Sequence, residues 1–544
     1  MLRKVEVENG IIEGLPAADP RITSFKGIPF AAPPVGENRW RAPQPAKDWD
    51  GVLKAYKFAP ISMQATPGLD KDNIYSREWA VDPDIPMSED CLYLNVWTPA
   101  CSNDEKLPVY VWYFGGAFQV GNTAEMEFDG ERIARRGIVV VTVNYRLNAF
   151  GFLCHPEITA EAPEAPANFG HLDQQAGTLW VKRNIAAFGG NPENITIGGQ
   201  SAGGASVVSQ ITSPQNAGFC QKAIIESGMI ATPYPDSPIP GIRRNLVEAE
   251  EEGVEFFDFL GVSSLVEARK LNAEYIRDKS LEYKGFWATV VDNKFVVGDP
   301  FELFLENKRL EVQLLLGHTS SEFFTTPDVE SIDELRKMAE EVFDDHAEKF
   351  LELCMEKSEN LRYVNSVSNN NLNNNNQPDS VKNDNKRGDT PGEIDLKRVL
   401  ESASVSVIEY AVRLLGRINE DLDVDTPVYY YNFDAEIPGW DNPGTFHSVD
   451  LWFFFETLAK CWRPFVGKHY DLARQMCNYW SNFICSGNPN GKDSTGEEMP
   501  EWKSYTAAEP YRMEFGDKPV LKLEESDELM EFLINEYLSK GNNI

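Results

Sequence analysis

A chain of 544 residues that is 42% apolar and 25% charged has a globular profile, long enough for one large α/β fold or two to three average domains. Its net charge of −34 argues against docking on nucleic acid or anionic lipid, and no run of about 18 apolar residues offers a membrane span. The eight cysteines show no C-x-x-C spacing, and neither H-E-x-x-H nor a phosphate loop of the G-x-x-x-x-G-K type occurs, so no metal and no cofactor is implied.

Residues 1–10 alternate charge and valine like a first strand and show no apolar h-region, so no signal peptide is expected. Residues 25–43 carry Pro29, Pro33, Pro34 and Pro43, a density that forbids helix and makes an extended segment. Residues 88–99 alternate as a strand that Pro99 stops. From Pro108 onward strands and helices take turns. Residues 109–114 form a strand emptying into Gly115-Gly116-Ala117-Phe118, residues 138–143 an apolar strand, and residues 173–188 a helical stretch ending at Gly189-Gly190. Runs with the length of central strands recur at 223–226, 312–316 and 428–433. Apolar strands separated by helices predict an α/β architecture, a central mostly parallel β-sheet with flanking helices. The whole chain, 1–544, is read as one such domain, with 228–311 and 325–425 as mainly helical cap or insert regions. The Asn-rich stretch 365–390 can bury almost nothing and is expected to be a disordered surface insertion. At the end of the chain, Leu529, Met530, Leu533, Ile534, Tyr537 and Leu538 share one face of a C-terminal helix.

The stretch 194–205 reads Asn-Ile-Thr-Ile-Gly-Gly-Gln-Ser-Ala-Gly-Gly-Ala. A β-branched run enters Gly199-Gln200-Ser201-Ala202-Gly203, a G-x-S-x-G pattern, and a helix of small apolar residues follows. A serine hydroxyl becomes a useful nucleophile when a sharp strand-to-helix turn holds it exposed beside a base. Gly199 and Gly203 permit such a turn, which also places the Ala202 N–H at a helix N-terminus, where an oxyanion is favoured. Five loosely specified positions recur by chance, so a glycine-rich turn without catalysis is the competing reading.

A base must follow the nucleophile. Of the six histidines, His346, His447 and His469 lie far enough beyond Ser201. His346 sits on a charged helix face, and His469 has no matching acid in view. His447 follows a proline–glycine loop just past the strand 428–433, where a general base is expected to sit. A satisfied loop histidine is the alternative there.

These motifs together give the chain its resemblance. Glu89-Asp90-Cys91-Leu-Tyr-Leu-Asn-Val-Trp97-Thr-Pro99 resembles a signature of the type-B carboxylesterases, the α/β-hydrolase family that includes cholinesterases and para-nitrobenzyl esterases. Residues 27–39, 144–153 and 188–197 resemble the same family. The resemblance implies a serine esterase of small carboxylic esters working through an acyl-enzyme. Ser201 would be the nucleophile, Glu322 the acid and His447 the base, with the N–H groups of Gly116, Ala117 and Ala202 as oxyanion hole. By composition alone Glu322 is one carboxylate among 85 acidic residues, so its role rests on the resemblance. The resemblance also implies supporting roles for Gln200, Ser227 and Asp450 and a structural ion pair of Arg39 with Glu89. Phe118, Tyr283, Phe286 and Trp287 are candidates for the substrate pocket.

Some positions depart from the family. Phe114 replaces a common His or Tyr, Ala117 replaces the third glycine, and Gln200 replaces the Glu usual before the serine. No cysteine precedes Cys91, so the bridge that secreted members form there cannot be made, and a cytoplasmic location is expected. Trp79 looks offset from the cation-binding ring of cholinesterases, and with Gln200 this predicts a preference for neutral esters with apolar or aromatic acyl groups. An amidase acting on activated amides, or a non-catalytic protein resembling neuroligins, are the alternatives the resemblance leaves.

Overall fold

In the computed structural model the apolar runs of the sequence lie side by side in one eleven-stranded sheet. The structure describes residues 1–234, 244–283, 285–358, 396–493, 495–524 and 527–541. In chain order the strands are β1 (Leu15–Pro16), β2 (Thr23–Pro29), β3 (Tyr93–Thr98), β4 (Leu107–Tyr113), β5 (Val139–Val143), β6 (Gly190–Gln200), β7 (Lys222–Glu226), β8 (Gln313–Thr319), β9 (Val428–Phe433), β10 (Tyr511–Phe515) and β11 (Pro519–Leu523). Across the sheet they run β11-β10-β9-β8-β7-β6-β4-β5-β3-β2-β1. From β10 to β5 every neighbouring pair is parallel, and both margins turn antiparallel. Every residue of β5, Val-Val-Val-Thr-Val, is buried, as a strand covered on both faces requires.

The helices that matter below are α1 (Ile74–Glu78), α2 (Phe169–Asn184), α3 (Ala202–Thr212), α4 (Leu246–Leu260) and α5 (Gly467–Ser486). Asn245 and Glu248 form a capping box that starts α4, and Gly261 in a left-handed conformation ends it. The helical stretch expected at 173–188 begins four residues earlier and finishes as a 3₁₀ turn, because Phe169, Leu172 and Trp180 already supply the buried face. Residues 1–10 do form strands, but Lys4–Val7 pairs with Gly10–Glu13 in a separate three-stranded sheet.

The chain divides into two compact units. One holds the large sheet: Met1–Met229, Ile242–Glu322 and Leu415–Leu523. The other comprises Ile230–Gly241, Phe323–Leu414 and Glu524–Ile544. Its core gathers Leu335, Phe343, Phe350, Leu529 and Leu533, with the rings of Phe343 and Phe350 4.7 Å apart. The C-terminal helix spans Glu528–Gly541 and buries Leu529, Met530, Leu533 and Ile534 of the apolar face that the sequence outlines, with Tyr537 and Leu538 half-buried. The Asn-rich stretch 365–390 lies outside the described residues. Among the described residues no helix is long and apolar enough to cross a membrane.

Candidate active site

Three adjacent regions at the carboxyl ends of parallel strands converge, as ligand sites in open α/β sheets do. Ser201 follows β6 directly, Glu322 stands just past β8, and His447 ends the loop that leaves β9.

The elbow is shaped by what it excludes. Ser201 holds φ 56°, ψ −126°, a sparsely populated conformation that persists only when neighbours fix it. A Cβ on Gly203 would stand 2.1 Å from the Tyr113 carbonyl oxygen, and one on Gly199 2.3 Å from that of Gly203. Gly115 passes so close that its Cβ would lie 3.0 Å from the Ser201 Cβ. The Ser201 N–H donates to the Glu226 carbonyl at 2.9 Å, which ties the turn to β7. The serine side chain does not cap α3, and its hydroxyl is left half-exposed for chemistry.

Glu322 is enclosed by donors. One carboxylate oxygen accepts from the Thr319 N–H at 2.7 Å and from the Ser227 hydroxyl, and the other accepts from His447 Nδ1. Burial works to raise its pKa, but the charge and hydrogen bond of His447 outweigh that and leave it below the ordinary carboxylate value. With Nδ1–H given to Glu322, the Nε2 lone pair faces the elbow. There the Gln200 amide nitrogen lies 3.1 Å away. The Ser201 hydroxyl itself makes no hydrogen bond among the described residues.

Behind this pair sits a second acidic layer. Asp450 is fully buried, accepts from the Tyr431 hydroxyl at 2.8 Å, and has its other oxygen unpartnered. Burial, and then the charge of Glu322, push its pKa up to about 7. Glu226, also fully buried, accepts from Trp480 Nε1 at 2.6 Å and is raised by burial and by Asp450. Sequence reasoning passed over Glu226, since nothing local marks a strand-end carboxylate as part of a site. Thr445 was passed over too. Its hydroxyl meets those of Ser320 and Ser321 at 2.5 and 3.0 Å, joining the loop of His447 to that of Glu322.

The loop that follows β4 is wound tightly. Gly116, Ala117 and Phe118 have φ of 112°, 54° and 62° in succession. The Gly116 and Ala117 N–H groups make no hydrogen bond among the described residues, while the Gln119 and Val120 N–H groups return to the Gly116 carbonyl. The Phe118 ring is buried against Phe152 and His171. Gln119 donates to the Trp287 carbonyl, which brings the stretch 283–287 beside this loop. Within that stretch Trp287 is buried and stacked on Tyr283, and Phe286 is 42% exposed. Trp79 stacks on Phe446, the residue before His447, with centroids 6.3 Å apart, so an aromatic pair adjoins His447 in sequence despite the offset. Arg39 and Glu89 form a bidentate pair at 2.6 Å. Among the described residues no three His, Cys, Asp or Glu side chains gather as a metal site needs.

Residues 2–533 match the model of the carboxylesterase family. Acetylcholinesterase of Bungarus fasciatus is 29% identical over 548 residues, covering 95% of this chain and 83% of that protein. Human bile salt-activated lipase is 31% identical over 534 residues, covering 93% of this chain and 65% of the longer relative. A solved carboxylesterase of Geobacillus stearothermophilus superposes with a TM-score of 0.70 at 27% identity, covering 98% of this chain and all of that one. The chain belongs to the carboxylesterase family, has the α/β-hydrolase fold of its solved relatives, and is a carboxylic-ester hydrolase.

Proposed function

We propose that the protein hydrolyses neutral carboxylic esters through a Ser201–His447–Glu322 triad. The observation that carries this reading is the His447 ring itself, whose Nδ1–H is taken by Glu322 while Nε2 faces the residue preceding Ser201. Ser201 attacks the ester carbonyl as His447 Nε2 takes its proton, and Glu322 stabilises the imidazolium that forms. The tetrahedral oxyanion accepts from the N–H groups of Gly116, Ala117 and Ala202, each donor contributing on the order of 2.7–4 kcal/mol to the lowered barrier. His447 returns the proton to the leaving alcohol, and water, activated by the same ring, releases the acyl group from Ser201. Resting contacts of this kind tighten on substrate binding. Closing the Ser201–His447 contact displaces the Gln200 amide from Nε2.

The substrate class follows from charge and from rings. Gln200 supplies hydrogen bonds but no negative charge beside the base, so a cationic alcohol gains nothing there. Trp79 offers an aromatic face on Phe446 and does not add to that argument. Tyr283, Phe286 and Trp287 suit an apolar or aromatic acyl group. Cys91 is fully buried with no cysteine before it in the sequence, which supports a reducing, cytoplasmic setting.

Incubation with an organophosphonate is expected to label Ser201 stoichiometrically, and Ser201→Ala is expected to fold while losing ester turnover. Labelling of another serine, or turnover retained in Ser201→Ala, overturns the mechanism. For substrate charge, kcat/KM for a neutral butyryl ester is expected to exceed that for a butyryl choline ester of similar leaving-group pKa. A tenfold preference for the choline ester, about 1.4 kcal/mol, would reverse the reading of Gln200.

A further inference from the structure

His447 is delivered by a long loop. Residues 434–446 separate the end of β9 from the base, and a loop of that length does not hold a side chain in place unless something else pins it. Thr445 is one pin. The other is Arg463, whose side chain is wholly buried.

The Arg463 guanidinium uses every edge. Its Nε donates to Glu78 at 2.8 Å, Nη1 and Nη2 donate to the two oxygens of Asp441 at 2.9 and 3.0 Å, and Nη1 also donates to the Pro438 carbonyl at 3.1 Å. Its Cζ lies 4.6 Å from the centre of the Trp462 ring and 5.4 Å from that of Phe446. Glu78 is buried as well and accepts further from Trp462 Nε1 at 3.2 Å and from Cys461 Sγ at 3.4 Å. Arg77 reaches Asp441 at 3.4 Å, so two cations face two carboxylates.

These partners are distributed in a telling way. Pro438 and Asp441 belong to the loop of the base, and Phe446 is the residue before His447. Glu78 closes α1, and the next residue, Trp79, stacks on Phe446. A single side chain thus holds the two segments whose rings meet beside the base. Desolvation makes buried ion pairs weak sources of net stability, whereas their directional bonds fix a register. That contrast argues for geometry as the contribution of this cluster.

We propose that Arg463 is a positioning residue for the catalytic base, holding the loop 438–446 and the Trp79–Phe446 ring pair in the register that places His447 between Glu322 and the elbow. The inference rests on His447 being the base. Its test therefore begins with phosphonate titration of Ser201, and absence of labelling in the wild type counts against the triad rather than against Arg463.

The variants are Arg463→Lys, Arg463→Met and the pair Arg463→Met with Glu78→Gln, each made in the full chain. Turnover of a neutral ester is expressed per titrated site, with KM and Tm measured in parallel. Arg463→Met is expected to lower kcat per site at least tenfold on the same substrate, with KM moving less than threefold. Arg463→Lys is expected to recover part of that loss, because an ammonium can still bridge the carboxylates but cannot span Pro438 and stack on Phe446. The pair separates register from charge, since it removes the uncompensated Glu78 and is still expected to be slow. If Arg463→Met does not fold, Arg463→Lys and the pair decide. A lowered Tm with kcat per site within twofold of wild type in those two makes Arg463 a structural strut and overturns the proposal. Full recovery of kcat in the pair also overturns it, since the effect would then be the stray charge of Glu78.

Discussion

The proposed nucleophile and the proposed base are held in opposite ways. Around Ser201 the backbone decides. Gly199, Gly203 and Gly204 stand where a Cβ would come within 2.9 Å of carbonyl or Cα atoms, so the turn admits no other shape. Around His447 the side chains decide, since Glu322 and Gln200 reach the ring from two other segments and Thr445 ties its loop to Ser320 and Ser321. A position fixed by excluding atoms is rigid and local. A position fixed by gathering partners is only as good as the weakest of them, and its parts are scattered through the chain.

The largest expected effect lies on the gathered side. Glu322→Gln keeps the size of the side chain, but its amide can present N–H to His447 Nδ1 and so favour the wrong tautomer. kcat should fall on the order of 10⁴-fold with KM little changed, measured with a neutral ester under saturating conditions. A loss under tenfold would mean that other contacts hold the ring and that Glu322 is dispensable. The converse experiment is Gly203→Ala, in which the new methyl meets the Tyr113 carbonyl at 2.1 Å. Neither that strand carbonyl nor the elbow can yield without disturbing the pairing of β4 with β6 inside the sheet, so a stability loss of about 4 kcal/mol or more is expected by denaturant titration. A well-folded, active Gly203→Ala would show that the elbow is not set by exclusion at all.

The same division explains what the sequence disclosed. The elbow was legible because glycines at fixed offsets around a serine are a local pattern with one steric meaning. The strands 109–114, 138–143 and 428–433 were legible because doubly buried strands must be apolar throughout. His447 emerged only by weighing six histidines, and Glu322 only through family resemblance, because its distinguishing partners Ser227 and Thr319 are remote or unremarkable in sequence. Arg463 gave no signal, since a guanidinium amid tryptophans reads the same whether it is buried or exposed. Trp79 looks offset in sequence from the family's cation-binding ring, and the end of α1 carries its ring onto Phe446.

A smaller effect tests the buried acidic layer. Asp450 has an ordinary pKa of 3.8 that burial and Glu322 raise to about 7 in the folded protein. Between those values the folded protein holds a proton that the unfolded chain has released. This contribution to stability is complete below about pH 4 and is lost as pH rises through 7. Glu322 is shifted the other way, and its contribution is lost only as pH falls below the ordinary 4.5. The two windows overlap only between 3.8 and 4.5, below the range from pH 5 to 8. Asp450→Asn keeps an acceptor for the Tyr431 hydroxyl and removes the titration, so the decline in Tm from pH 5 to 8 should flatten. An unchanged slope would place that titration elsewhere, with Glu226 the first candidate.

The smallest effect concerns Ala117, where exclusion and gathering meet. Its φ of 54° is a left-handed conformation that costs a residue with a Cβ about 1–2 kcal/mol. The next residue, Phe118, repeats the strain at 62°. The loop keeps both because Phe118 is anchored: its ring packs on Phe152 and His171, and its carbonyl accepts from the Asn148 N–H at 2.7 Å. Ala117→Gly removes the local strain but gives the unfolded chain about 0.4–1 kcal/mol more entropy, so Tm should move little in either direction. The proposed donor at residue 117 then depends on Phe118 alone for its aim. Because a whole oxyanion donor lowers the barrier by about 2.7–4 kcal/mol, a slightly loosened one should cost no more than about fivefold in kcat. A fall of about 100-fold, as large as losing the donor, would show that the alanine methyl itself holds the loop in place, and exclusion rather than anchoring would then govern this side of the site as well.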